Sequence, residues 1–220
     1  MIRERVKEIL RQIPQDVQVV AATKTRSPEE IEEAIKAGIT IIGENYVQEA
    51  ERKQEVLGKH VCWHLIGHLQ KNKVKKAVKI FDLIETLDSL PLAEMIEKEC
   101  NKINKQMPVF VEINIAKESQ KSGIREDELM PFLEELLSFR HLSVEGLMTM
   151  GPWVEDAEFL RPYFKRMKRM FEEVRITYRD KLPNFRYLSM GMSTSFKVAI
   201  QEGANIIRLG TILFGTRREE

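Results

Sequence analysis

The sequence predicts an α/β protein, a closed (β/α)8 TIM barrel preceded by one extra helix. Eight short β-branched runs, an amphipathic segment between each run and the next, and a length of 220 residues together predict it. An open doubly wound sheet can be assembled from the same units, but eight of them favour closure.

Met1 to Gln12 reads as a helix ahead of the first strand, Val17 to Thr23. Ser27-Pro28-Glu29-Glu30 then opens a helix: the serine can cap, proline suits the first turn, and Glu30 can reach back. Ile31, Ala34 and Ile35 form its apolar stripe, and Gly38 ends it. Thr40 to Gly43 is the second strand, followed by a helix from Tyr46 to Leu57. Cys62 to Ile66 is the third, with a helix around Lys71 to Val78, and Leu83 to Thr86 is the fourth. Ser89 is expected to cap a helix carrying Leu92, Met95, Ile96 and Ile103. Val109 to Ile115 is the fifth strand, and Leu129, Phe132, Leu133, Leu136 and Leu137 mark the helix after it. Leu142 to Met150 is the sixth, with Phe164, Met167, Met170, Phe171 and Val174 on the next helix. Phe185 to Met190 is the seventh, a helix runs near Phe196 to Gly203, and Ile206 to Leu209 is the eighth. The N-terminal helix is expected to fill the slot of a final barrel helix. No Gly/Ser- or Pro-rich linker interrupts the pattern, so residues 1–220 read as one domain.

Composition narrows the function. The 35 basic and 34 acidic side chains nearly cancel, which argues against nucleic acid as the main partner. The basic stretch Lys71, Lys73, Lys75, Lys76 and Lys79 reads as a solvated helix face. Cys62 and Cys100 form no metal or disulfide framework. His60, His64 and His68 recur every four residues, a zinc spacing only on a helix, and His64 falls in a strand. No apolar run approaches a membrane span and the charged start lacks a signal-peptide core, so cytoplasm is the expected location, without a membrane partner.

In such a barrel the functional face lies at the C-terminal ends of the strands. Lys24 closes the first, Glu44 and Asn45 the second, and Asn114 the fifth. His64 lies inside the third, with Gly67 at its end. Met148 and Met150 end the sixth, Gly191 and Ser193 follow the seventh, and Arg208, Gly210 and Thr211 close the eighth. Lys24 follows Val-Val-Ala-Ala-Thr, so its stem is expected to be buried. On position alone it is an ordinary strand-end lysine whose ammonium reaches solvent. Ser193-Thr194-Ser195 before a helix, and Arg208-Leu209-Gly210-Thr211 after a strand, can both present N–H groups and hydroxyls to a phosphate. Simple capping is the plain alternative for Ser193. A lysine facing phosphate-holding loops describes a phosphorylated aldehyde bound as an imine.

Seven motifs then resemble, in order, the pyridoxal phosphate homeostasis proteins. They are Thr23-Lys24; Gly43-Glu44-Asn45-Tyr46-Val47-Gln48-Glu49; Trp63-His64-Leu65-Ile66-Gly67-His68 with the following Leu69 to Lys73; Glu118-x-x-Lys121-x-Gly123; Gly146-Leu147-Met148-Thr149-Met150; Leu188-Ser189-Met190-Gly191-Met192-Ser193; and Ile207-Arg208-Leu209-Gly210-Thr211 through Phe214-Gly215. The resemblance implies a barrel like the N-terminal domain of alanine racemase. It implies pyridoxal 5'-phosphate (PLP) held as a Schiff base on Lys24, with Ser193, Gly210 and Thr211 at the phosphate and Arg208 beside the pyridine nitrogen. Asn45, His64 and Met148 would line the cofactor pocket. Ser195 stands where the family commonly has Asp.

The resemblance implies a carrier or buffer of PLP in intracellular homeostasis, without strong catalytic activity, monomeric, with PLP-dependent apoenzymes as partners. Two enzyme readings compete: a PLP-dependent amino-acid racemase with weak activity, and a Schiff-base aldolase using the same lysine. Racemisation needs acid/base groups on both faces of the substrate carbon. Of Tyr46, Tyr163, Tyr178 and Tyr187, only Tyr46 falls near the expected mouth.

Overall fold

The fold is described for residues 1–216 in a computed structural model. Eight parallel strands close into a barrel in chain order: β1 (Gln18–Ala22), β2 (Ile41–Glu44), β3 (Cys62–Leu65), β4 (Leu83–Leu87), β5 (Met107–Glu112), β6 (Leu142–Met148), β7 (Tyr187–Ser189) and β8 (Ile206–Leu209). Closure is direct: β1 pairs with β8, setting Val20 against Arg208 and Ala21 against Leu209. Helices α1 (Ile2–Gln12), α2 (Pro28–Lys36), α3 (Val47–Leu57), α4 (Val74–Ile80), α5 (Leu90–Lys102), α6 (Leu129–Leu136), α7 (Arg161–Thr177), α8 (Phe196–Gln201) and α9 (Thr211–Phe214) accompany them.

Two apolar layers hold the barrel. The larger lies between strands and helices, where Trp63, Ile84, Leu133, Met167 and Phe171 are buried. The smaller fills the interior with Val20, Ile41, Ile66, Leu83, Phe110, Met148 and Ile206. Gly43 faces that interior, and a Cβ there would sit 2.6 Å from Val20 Cγ1 and 2.8 Å from Ile66 Cδ1.

Most departures from the expected elements lie at their ends. Strand five begins at Met107 and stops at Glu112 rather than Ile115. Ile113 and Ile115 are apolar because they are buried, but beyond Glu112 the chain leaves the sheet and Ile113 bridges only to Ile124. The sixth strand ends at Met148, where Thr149 turns its hydroxyl onto the Ile113 carbonyl, 2.8 Å away. Ser27 caps α2 as expected, within a full capping box. Ser89 does not cap: its hydroxyl donates to Asp88 Oδ1 at 3.1 Å, and Ile103 lies past the end of α5 with 43% exposure. The basic stretch opens as a 3-10 turn at Lys71–Lys73, and Lys71, Lys75, Lys76 and Lys79 are exposed. A last barrel helix does exist as the single turn α9, unanticipated in the sequence. Helix α1 packs beside it and α2, and Arg5 donates to the Phe214 carbonyl at 2.9 Å.

Candidate functional site

Lys24 sits one residue past Thr23 at the end of β1, half-buried, with its Nζ 5.1 Å from the centre of the Tyr46 ring. The backbone on either side of it is fixed by a buried network. Lys53 Nζ, on α3, donates to the Thr23 carbonyl, to Glu44 Oε1 and to Glu49 Oε1, each at 2.7 Å. Thr23 Oγ1 donates to Glu44 Oε1 at 2.5 Å, and the Thr25 N–H donates to Glu49 Oε1 at 2.7 Å. Thr25 adopts φ +65°, a costly conformation for a β-branched residue, and the Glu49 bond holds it there. Burial pushes the Glu44 carboxyl above the usual carboxylate range, partly offset by the Lys53 ammonium.

The β7 and β8 ends meet beside Lys24. Ser193 Oγ accepts from the Gly210 N–H at 3.1 Å and from the Ile212 N–H at 3.4 Å, tying the two loops together. Gly210 lies against β1, its virtual Cβ 3.5 Å from the Ala22 carbonyl, and Thr211 opens α9 with an exposed side chain. Ser195 is buried and accepts from the Met192 N–H at 3.1 Å, so it braces the turn containing Ser193.

Arg208 is 3% exposed and heads a polar chain through the barrel interior. Its Nη1 donates to Ser189 Oγ at 2.6 Å, Ser189 donates to Glu85 Oε2 at 2.6 Å, and Glu85 Oε1 meets His64 Nδ1 at 2.8 Å. Its Nη2 donates to the Thr149 carbonyl at 2.7 Å and to Met150 Sδ at 3.4 Å. Burial alone would lower the pKa of His64, but the Cys62 thiol and the Glu85 carboxylate outweigh it and push it up to about 9. Burial likewise pushes Glu85 up, and the bonds and charges of His64 and Arg208 with the Ser189 bond bring it below the usual range.

The expected site residues therefore occupy two levels. Lys24, Asn45, Ser193, Arg208, Gly210 and Thr211 gather at the C-terminal mouth. Met148 is wholly buried beneath them in the interior cluster. His64 lies deeper: it lines a cavity at the opposite end with Gln18, Cys62, Asp82, Glu145 and Tyr187, and reaches the mouth only through Glu85, Ser189 and Arg208. Sequence reasoning missed Lys53, Glu85 and Glu112. The one signal available was a charged residue at an inward position of a strand, Glu85 in β4 and Glu112 in β5.

The mouth also holds a cavity of about 200 Å³ on its other side, lined by residues including Asn45, Thr86, Glu112, Lys121 and Met150. Among the described residues no group of three or more His, Cys, Asp or Glu is placed to hold a metal ion.

The chain as a whole is similar to known proteins. The alanine racemase N-terminal domain family matches residues 1–218. A pyridoxal phosphate homeostasis protein of Aquifex aeolicus is 41% identical over 91% of this chain and 87% of its own. One from Synechocystis is 36% identical over 96% of both. Among solved structures, PipY of Synechococcus elongatus with PLP bound superposes with a TM-score of 0.90 at 34% identity, covering 98% of this chain and all of its own (100%). An alanine racemase of Clostridium difficile shares the fold at 16% identity, with a TM-score of 0.80 and 60% of its length covered. The chain belongs to the alanine racemase N-terminal domain family and, within it, to the pyridoxal phosphate homeostasis proteins.

Proposed function

We propose that this protein binds PLP at the β1–β7–β8 side of the mouth, joined as a Schiff base to Lys24, and acts as a carrier or buffer of the cofactor in PLP homeostasis. The observation that carries this is the meeting of an amine and a loop pair rich in hydrogen-bond donors on adjacent strands. The Ser193 hydroxyl, the Thr211 hydroxyl and the Gly210 and Ile212 N–H groups suit a phosphate, and Ser193 Oγ already draws those two N–H groups to one point.

PLP supplies an aldehyde that condenses with an amine, and a ring that draws electrons when its nitrogen is protonated. The chain's residues shape both properties. The Lys53 network and the Thr25 turn fix the backbone that aims Lys24. Arg208 donates and never accepts, so beside the pyridine nitrogen it keeps that atom unprotonated and weakens the ring as an electron sink. Its contact to Met150 Sδ is the weakest of its bonds, leaving that N–H available to the ring. A weak electron sink is compatible with holding the cofactor, and likeness to pyridoxal phosphate homeostasis proteins along nearly the whole chain sets the carrier reading ahead of the racemase reading. PLP-dependent apoenzymes are the expected recipients, and a monomer is the expected state. No helix among the described residues is long and apolar enough to cross a membrane.

The test is an absorbance spectrum of the purified protein before and after borohydride. A yellow protein bleached by borohydride, with Lys24→Ala colourless, is expected. A colourless protein that added PLP fails to load defeats the reading. Loss of α-deuterium from amino acids across a broad panel would revive the racemase.

A further inference from the structure

The functional reading leaves one buried ionisable group at the mouth without a task. Glu112, the last residue of β5, is 6% exposed and lines the 200 Å³ cavity. Its Oε2 is buried and receives no hydrogen bond from any described residue. A buried, unpartnered carboxylate oxygen is destabilising, and one retained in a folded protein calls for an explanation such as a functional role or a bound ion.

Backbone segments beside the cavity are closely packed. A Cβ on Gly67 would fall 2.5 Å from the Asn45 carbonyl oxygen, and one on Gly123 would fall 2.6 Å from the Asn114 nitrogen. The charges facing Glu112 decide what such a ligand carries. Burial pushes its carboxyl up, Asp88, after β4, and Glu85 push it further, and Arg208 alone opposes them, leaving it at about 7. Arg208 is already bonded to Ser189 and Thr149, and Glu85 is shared between Arg208 and His64. Lys121 is held by Glu118 Oε1 and the Gly151 carbonyl, both at 2.7 Å. His68 lies 3.3 Å from Asp88 but is mostly exposed. The balance around Glu112 is therefore negative, and the two cationic side chains nearest it, Arg208 and Lys121, both hold other partners.

We propose that this cavity is a second ligand site, for a small organic primary amine bound as its ammonium ion, with the Glu112 carboxylate as counter-ion. The same balance rejects amino acids: an α-carboxylate entering the cavity meets Glu112 and Asp88 and finds both Arg208 and Lys121 committed elsewhere. The described residues offer no metal-binding cluster at which an inorganic cation would compete.

The proposal takes from the functional reading only the side of the mouth that PLP occupies. Amines also react with the cofactor's carbonyl, so the measurement uses holoprotein reduced with borohydride, in which that exchange is blocked. Ethylamine and L-alanine, which is ethylamine bearing a carboxylate, are titrated separately by calorimetry at pH 8. Saturable binding of ethylamine is expected, with alanine at least about tenfold weaker. Glu112→Gln is expected to weaken ethylamine about tenfold or more. On the unchanged protein, ethylamine affinity is expected to fall as pH drops below 7, a readout independent of any variant's folding. No saturation, equal binding of alanine, or a folded Glu112→Gln variant that binds ethylamine normally overturns the proposal. Failure of borohydride to fix PLP on Lys24 defeats the functional reading instead, and the titration is then run on the unreduced chain.

Discussion

At the scale of the residue, the barrel interior is governed by a few buried charges. Glu85 is fully buried and is the counter-ion of both His64 and Arg208. Glu85→Gln keeps the shape but leaves two buried cations without an anion, and is expected to destabilise the protein by about 3 kcal/mol or more. The urea unfolding midpoint measures this, since the exposed surface, and so the slope, stays the same. Glu112 behaves in the opposite sense. Its folded-state pKa of about 7 lies above the ordinary carboxylate value of 4.5. A raised carboxyl contributes stability fully below its unfolded pKa and loses it as pH climbs through the folded value. Glu112→Gln removes that loss, so the variant is expected to be more stable than the parent at pH 8, by as much as about 3 kcal/mol, and indistinguishable from it near pH 4. Thermal melts at the two pH values check the crossover.

At the scale of the element, local chemistry and barrel geometry make different demands. Helix α2 is set by its own sequence: Ser27 Oγ accepts from the Glu30 N–H at 3.3 Å, and Glu30 Oε2 accepts from the Ser27 N–H at 3.0 Å. Ser27→Ala is expected to cost about 1 kcal/mol. Gly43 in β2 answers to its neighbours instead. Gly43→Ala puts a methyl group among Val20 and Ile66 where both must shift, an overpacking cost of about 1–3 kcal/mol. The two variants compared by chemical denaturation are expected to rank in that order. The capping box was legible in the sequence because its parts lie within four residues. Gly43 stood in a recognised motif, but the reason for it was not legible, because the atoms it avoids belong to two other strands.

At the scale of the whole molecule, a ligand held by residues from β1, β7 and β8 couples elements that close the barrel. PLP present at about a hundredfold its dissociation constant adds about 2.7 kcal/mol to the folded state. For a chain of 220 residues that is a rise in melting temperature of roughly 5–10 °C. Lys24→Ala is expected to lose most of this rise while melting normally without PLP, because the half-buried lysine is bonded to none of the buried network beside it. Differential scanning fluorimetry with and without PLP is sufficient.

The sequence by itself determined the barrel, the strand order and the ring of residues at strand ends. Alternation, β-branched runs and turn chemistry are properties of short stretches, and a strand's end is visible in the stretch that contains it. It therefore brought forward Lys24, Asn45, Ser193, Arg208, Gly210 and Thr211 together. The depth of His64, the bracing of Lys24 by Lys53 and the unpartnered carboxylate of Glu112 were decided only by the tertiary structure. Ser189 and Glu85 bond across 104 residues of chain, and such a pairing exists only once the closed sheet brings inward positions of separate strands to one level. That closure also opened His64 toward the far end of the barrel and left Glu112 facing a cavity, with its charge uncompensated.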